Sequence, residues 1–71
     1  MDDRDGHHFK KLLVGAAEAT AETLTPERMA IYFQALRPYG IDAVESAVWH
    51  VLRHGSGFFP RVPELVKAIE G

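Results

Sequence analysis

Apolar side chains recur along the chain at intervals of three and four residues, in blocks separated by proline, glycine and charged residues. Phe9, Leu12, Leu13, Ala16 and Thr20 form the first block. Their spacing places them on one stripe of an α-helix and predicts a helix from His8 to about Glu22. Gly15 lies inside that helix and costs it about 1 kcal/mol relative to alanine unless a neighbouring backbone needs the space. Residues 1 to 7 are acidic, contain Gly6 and lack an apolar period. They predict a frayed tail ahead of a single domain over residues 8–71.

Thr25-Pro26-Glu27 predicts the next helix start, because Thr25 can accept from an orphan amide, Pro26 lacks such an amide and Glu27 meets the positive dipole end. Met29, Tyr32, Phe33 and Leu36 are its inward stripe, and Pro38 ends it near Arg37. Asp42 and Glu45 have the spacing of a capping box, followed by a third stripe of Val44, Ala47, Val48, Val51 and Leu52. Arg53 and His54 suit the negative end of that helix, and Gly55 is the expected left-handed cap. Pro63 can open a last short helix with Leu65, Val66 and Ile69 inward, which persists only if it docks. Nothing alternates with period two over a useful length. The expected fold is therefore all-α, a compact irregular or orthogonal bundle of four short helices.

The chain has 71 residues, enough for one domain that buries only about 60% of the surface its unfolded form exposes. It has no cysteine, so neither a disulfide nor a thiolate zinc site can brace it and apolar packing must do so. Eight Lys plus Arg against ten Asp plus Glu give a net charge of −2, too balanced to announce a polyanion partner. No apolar run approaches the ~20 residues of a membrane span, and the acidic start is unlike a signal peptide, so the expected location is cytoplasmic.

No cofactor or metal is expected. His50 and His54 stand four apart on one helical face, but Val51-Leu52-Arg53 between them lacks a zincin glutamate and no third ligand is specified. Their simpler reading is a polar edge near a helix end. No nucleophile and base pair is visible, the hydroxyls of Thr20, Thr23, Thr25 and Ser46 are accounted for by packing or capping, and no phosphate loop exists. Catalysis is not expected, nor is a pocket that buries a small substrate. A DNA-binding regulator is an alternative, but about eight residues separate the last two helices and the basic residues are scattered among acids. A structural or oligomerising module, with Ile31 and Trp49 meeting across a symmetric interface, is a third reading.

The candidate partner-binding residues are Ile31, Trp49, Arg53 and Arg61. Trp49 falls about 100° from Val48 on the helical wheel, beside Glu45 and Arg53. Its first expectation is a core-edge residue covered by the first helix or the Phe58-Phe59 loop. Its functional reading is an interface anchor, the role in which Trp and Arg are commonest. Ile31 stands off the Met29/Phe33/Leu36 stripe. At least one of Phe58 and Phe59 is expected to seal the end of the bundle.

The succession Met29-x-x-Tyr32-Phe33-x-Ala35-Leu36-x-x-Tyr39, then Ala43-Val44-Glu45-x-Ala47, then Phe58-Phe59-Pro60-x-x-Pro63-Glu64-Leu65 resembles the folded N-terminal domain of the phage replicative-helicase loader and inhibitor family. The resemblance covers residues 26 to 69, and Phe58 to Leu65 is its most specific part. It implies a small helical domain of phage or prophage origin and a protein partner, a hexameric replicative DNA helicase that such proteins bind, hold inactive and deliver to an origin. The family pattern includes a further C-terminal region that contacts the helicase, whereas this sequence stops at Gly71. No individual helicase-contacting residue is carried over.

Overall fold

Thr25 begins the second helix as its chemistry requires: its backbone is extended and its hydroxyl accepts from the Arg28 amide at 3.1 Å, with Pro26 next in line. A computed structural model describes residues 1–55 and 57–71, and Ser56 lies outside it. In it α1 (Gly6–Thr20), α2 (Pro26–Leu36), α3 (Ile41–His54) and α4 (Val62–Glu70) follow a 3₁₀ turn at Asp3–Asp5, with no strand among the described residues. The fold is an all-α bundle. α1 packs on α2 and α3, and α4 packs on the same two helices. The helices thus close a ring with α2 and α3 diagonal to one another, in a slab of 29 × 28 × 16 Å.

The core at the centre of the ring takes side chains from every helix: Phe9 and Leu13 from α1, Leu36 from α2, Val44 and Val48 from α3, Leu65 from α4, all 1% exposed or less. Phe33 meets Phe9 edge-on with ring centroids 5.4 Å apart, the arrangement that favours opposite parts of the aromatic quadrupole. α4 has only nine residues and could not persist alone in water. Its docking is organised by the segment before it. Phe59 and Pro60 are buried, Tyr32 of α2 lies against Phe59 at 5.6 Å, and the Tyr32 hydroxyl donates to the Pro60 carbonyl at 2.8 Å. Arg28 covers the outer side of the Phe59 ring at 5.5 Å. Glu64 then accepts from the Arg61 amide at 3.2 Å, one half of a capping box. At the other end of α4 the Tyr39 hydroxyl donates to Glu70 at 2.7 Å.

Four expectations are corrected. Residues 1 to 7 are not a frayed tail: Asp2 caps the 3₁₀ turn, α1 already starts at Gly6, and the Met1 amino group donates to the carbonyls of Arg37 (2.8 Å) and Tyr39. A cation there meets the unsatisfied carbonyls at the end of α2, which is what holds the segment. α1 stops at Thr20, not Glu22, because Ala21 turns left-handed at φ 56° and the Glu22 amide reaches back to the Ala17 carbonyl at 2.9 Å. Asp42 is not a cap. Extended Gly40 takes that position, so Asp42 sits inside the first turn, where it still favours the dipole. Gly55 is not left-handed either, with φ −85° and ψ −170°. Its amide donates to the Val51 carbonyl at 2.6 Å, and a Cβ at Gly55 would collide with that same oxygen. Glycine is required there by close approach and not by handedness.

Burial raises the Tyr32 phenol above its ordinary range of about 10, with the Arg28 and Arg61 guanidiniums pulling the other way. The bond to Glu70, followed by burial, raises Tyr39 in the same direction. A raised phenol stabilises the fold fully below its unfolded pKa and loses that contribution as pH climbs through the folded value. Tyr32→Phe is expected to cost about 2 kcal/mol at neutral pH, because it leaves the Pro60 carbonyl without its donor. Urea titrations should also show the wild type losing stability above pH 10 and a Tyr32→Phe/Tyr39→Phe double variant losing less. Equal slopes for the two proteins would contradict the assignment.

Candidate functional site

α1 presents different sides to its two neighbours, and a groove runs along each seam. Leu12, Gly15, Ala16 and Ala19 of α1 face Val48, Trp49 and Leu52 of α3 across a groove of about 380 Å³. At Gly15 a Cβ would meet nothing within 4 Å, so no neighbouring backbone explains this glycine and its cost to α1 is not recovered inside the fold. His8 and Glu45 bridge the two helices at the rim, 3.4 Å apart.

Trp49 stands at the edge of this groove. It is 51% exposed, so the expectation that α1 or the Phe58-Phe59 loop covers it is corrected. The physical reason is the ring arrangement: α3 turns Val44, Ala47, Val48 and Val51 inward, and the next position round the helix reaches only the rim of the α1 seam. The Arg53 guanidinium lies 5.9 Å from the centre of the indole, within cation–π range. Of the two phenylalanines, Phe59 seals the bundle and Phe58 is 63% exposed.

The four predicted binding residues do not converge. Trp49 and Arg53 are brought together with Glu45 and Ser46 around one cleft. Ile31 is 64% exposed on α2, and Arg61 is exposed at the start of α4. Neither lines a cleft that holds Trp49. His50 and His54 are adjacent, with ring centroids 4.8 Å apart, and no cluster of three metal-ligating side chains occurs among the described residues.

A second groove, which periodicity did not point to, lies on the other side of α1. Between α1 and α2 it forms an open furrow of about 690 Å³, walled by Phe9, Val14 and Ala17 on one side and Met29, Ala30 and Phe33 on the other. The signal available in the sequence was Val14, an apolar residue off the inward stripe of α1. No buried side chain is polar or charged among the described residues. No helix of the structure is long and apolar enough to cross a membrane.

No protein-family model matches the chain, and comparison with characterised proteins and with solved structures finds nothing significantly similar.

The chain has one tryptophan, which makes its environment directly observable. Emission from Trp49 in the folded protein should fall at the long wavelength of a hydrated indole and be quenched by acrylamide nearly as well as in the urea-unfolded chain. A blue-shifted, quencher-resistant emission would mean that the ring is covered.

Proposed function

We propose that this chain is a protein-interaction domain that binds a hexameric replicative DNA helicase by surface complementarity, using the Trp49–Arg53 face of α3 and the adjoining α1–α3 groove. The observation that carries the reading is the half-exposed Trp49, stacked under Arg53 beside a groove whose floor is left open at Gly15. Tryptophan and arginine are the commonest energetic anchors of interfaces, and a rim of charge around an apolar centre is their usual setting. The identity of the partner class rests on the resemblance of residues 26 to 69 to the loader and inhibitor family.

In this fold the residues that carry the resemblance explain a scaffold. Tyr32, Phe59 and Pro60 form the clamp, Leu36 and Val44 lie in the core, and Glu64 caps α4. The shared part is thus the platform, and the surface on it is where a specific partner is chosen. The same separation explains why Gly15, which weakens α1, is useful: a residue there with a larger side chain would fill the space beside Trp49.

Calorimetric titration of the full chain into a replicative helicase hexamer tests this directly. Binding at micromolar protein is expected, with Trp49→Ala weakening it by about thirtyfold, the ~2 kcal/mol of an anchor residue. Gly15→Ala should raise the melting temperature by about 4 °C and weaken binding, since it removes a helix penalty and occupies the groove. Absence of binding by the wild type would eliminate the helicase. Undiminished binding by Trp49→Ala would eliminate this face.

A further inference from the structure

We propose that His50 and His54 form a chelating site, at the end of α3, for one divalent cation of the class that includes Zn²⁺, Ni²⁺ and Cu²⁺. The inference is independent of the partner proposed above, because that reading assigns no role to either histidine and this one requires no partner.

Helix geometry carries the first step. Side chains four apart lie one above the other on a helix face, and the two rings stand with their centroids 4.8 Å apart and their planes inclined at 43°. Two imidazoles bound to one metal through nitrogens at about 2.1 Å have ring centres about 4.5 to 5.2 Å apart, as the angle at the metal opens from a right angle to the tetrahedral value. The separation in this fold falls inside that interval. α3 therefore already spaces the rings as a chelate requires.

Both rings are also free to take a ligand. Each residue is exposed, and the histidine side-chain bond among the described residues belongs to His8, whose ring meets Glu45. No partner within the fold has to be displaced. The surrounding charges do not oppose a cation strongly: Arg53 lies over the Trp49 indole, and Glu64 and Lys67 of α4, of opposite sign, line the cleft beside the pair. His54 closes the last turn of α3, where unsatisfied carbonyls favour positive charge.

The donor set selects the ion. Imidazole nitrogen suits zinc, nickel and copper, whereas magnesium and calcium take oxygen ligands. With no cluster of three ligating side chains among the described residues, water completes the shell. Such a site is open, unlike a structural zinc closed by four protein ligands. His7 and His8 do not form an equivalent pair, because consecutive side chains on α1 point about 100° apart.

Zinc chloride titrated into the full 15N-labelled chain, followed at the histidine ring nitrogens, tests the site. The rings of His50 and His54 are expected to shift at zinc concentrations that leave His7 and His8 unmoved, and magnesium chloride should shift none of them. His50→Ala and His54→Ala, each with an amide spectrum that reports a folded chain, should each weaken zinc binding by about tenfold or more, the loss of the second, intramolecular contact of a chelate. Copper chloride should quench the emission of Trp49, the neighbour of His50, in the wild type and at correspondingly higher concentration in either variant. Absence of shifts at millimolar zinc, an equal response from His7 and His8, undiminished affinity in either variant, a matching response to magnesium, or a zinc complex that sediments as a dimer would each overturn the proposal, the last by drawing the ligands from two chains.

Discussion

The clamp on the segment between α3 and α4 is the contact on which the other features depend. Phe59 and Pro60 go into the core end of the bundle, and a single hydroxyl, that of Tyr32, satisfies the Pro60 carbonyl that this burial would otherwise leave without a partner. The cost of an unsatisfied buried carbonyl is larger than the net gain of an ordinary hydrogen bond, so the tyrosine contributes more by its presence than a surface contact would. With Pro60 fixed, the backbone arrives at Arg61 already aimed, Glu64 caps the first turn and Leu65 reaches the middle of the core. Without it, nine residues of helix have no reason to form, and α2 and α3 lose the element that joins them on the side away from α1.

Closing four short helices into a ring also determines what is left outside. A slab only 16 Å thick has a core one layer deep, and the side chains just off each inward stripe cannot be covered. Trp49 and Val14 are the consequences on α3 and α1, and Ile31 on α2. The two grooves beside α1 follow from the same geometry, since a helix flanked by two neighbours without a second layer above them leaves a furrow on each side. The result is a bundle that leaves a large apolar side chain exposed on each of α1, α2 and α3.

Much of the fold was legible in the sequence because each helix carries its inward stripe at helical spacing, and Thr25-Pro26 and Pro63 announce two of the starts through local chemistry alone. The misreadings have a common origin in contacts that span the chain. Asp42 and Glu45 have the spacing of a cap, yet the turn at Gly40 begins the helix earlier and sends Glu45 to His8 across the α1–α3 rim. Gly55 was correctly singled out, but the reason for it is the proximity of the Val51 carbonyl. The first residues looked mobile because they carry no apolar period, and the end of α2 that holds Met1 is more than thirty residues away. For the candidate site, periodicity identified Trp49 and Arg53 as neighbours, whereas the exposure of Trp49 and the existence of the α1–α2 groove depend on which helices meet, and periodicity says nothing of that.

Native-state hydrogen exchange tests the central claim most directly, that one clamp makes the four helices a single cooperative unit. Amides of α4 from Leu65 to Ile69 should open with the same free energy, and the same dependence on urea, as those of α3 from Val48 to Leu52. Exchange of α4 through a separate, low-energy opening while α1, α2 and α3 stay protected would show that the last helix is an accessory to the bundle, and would contradict the account.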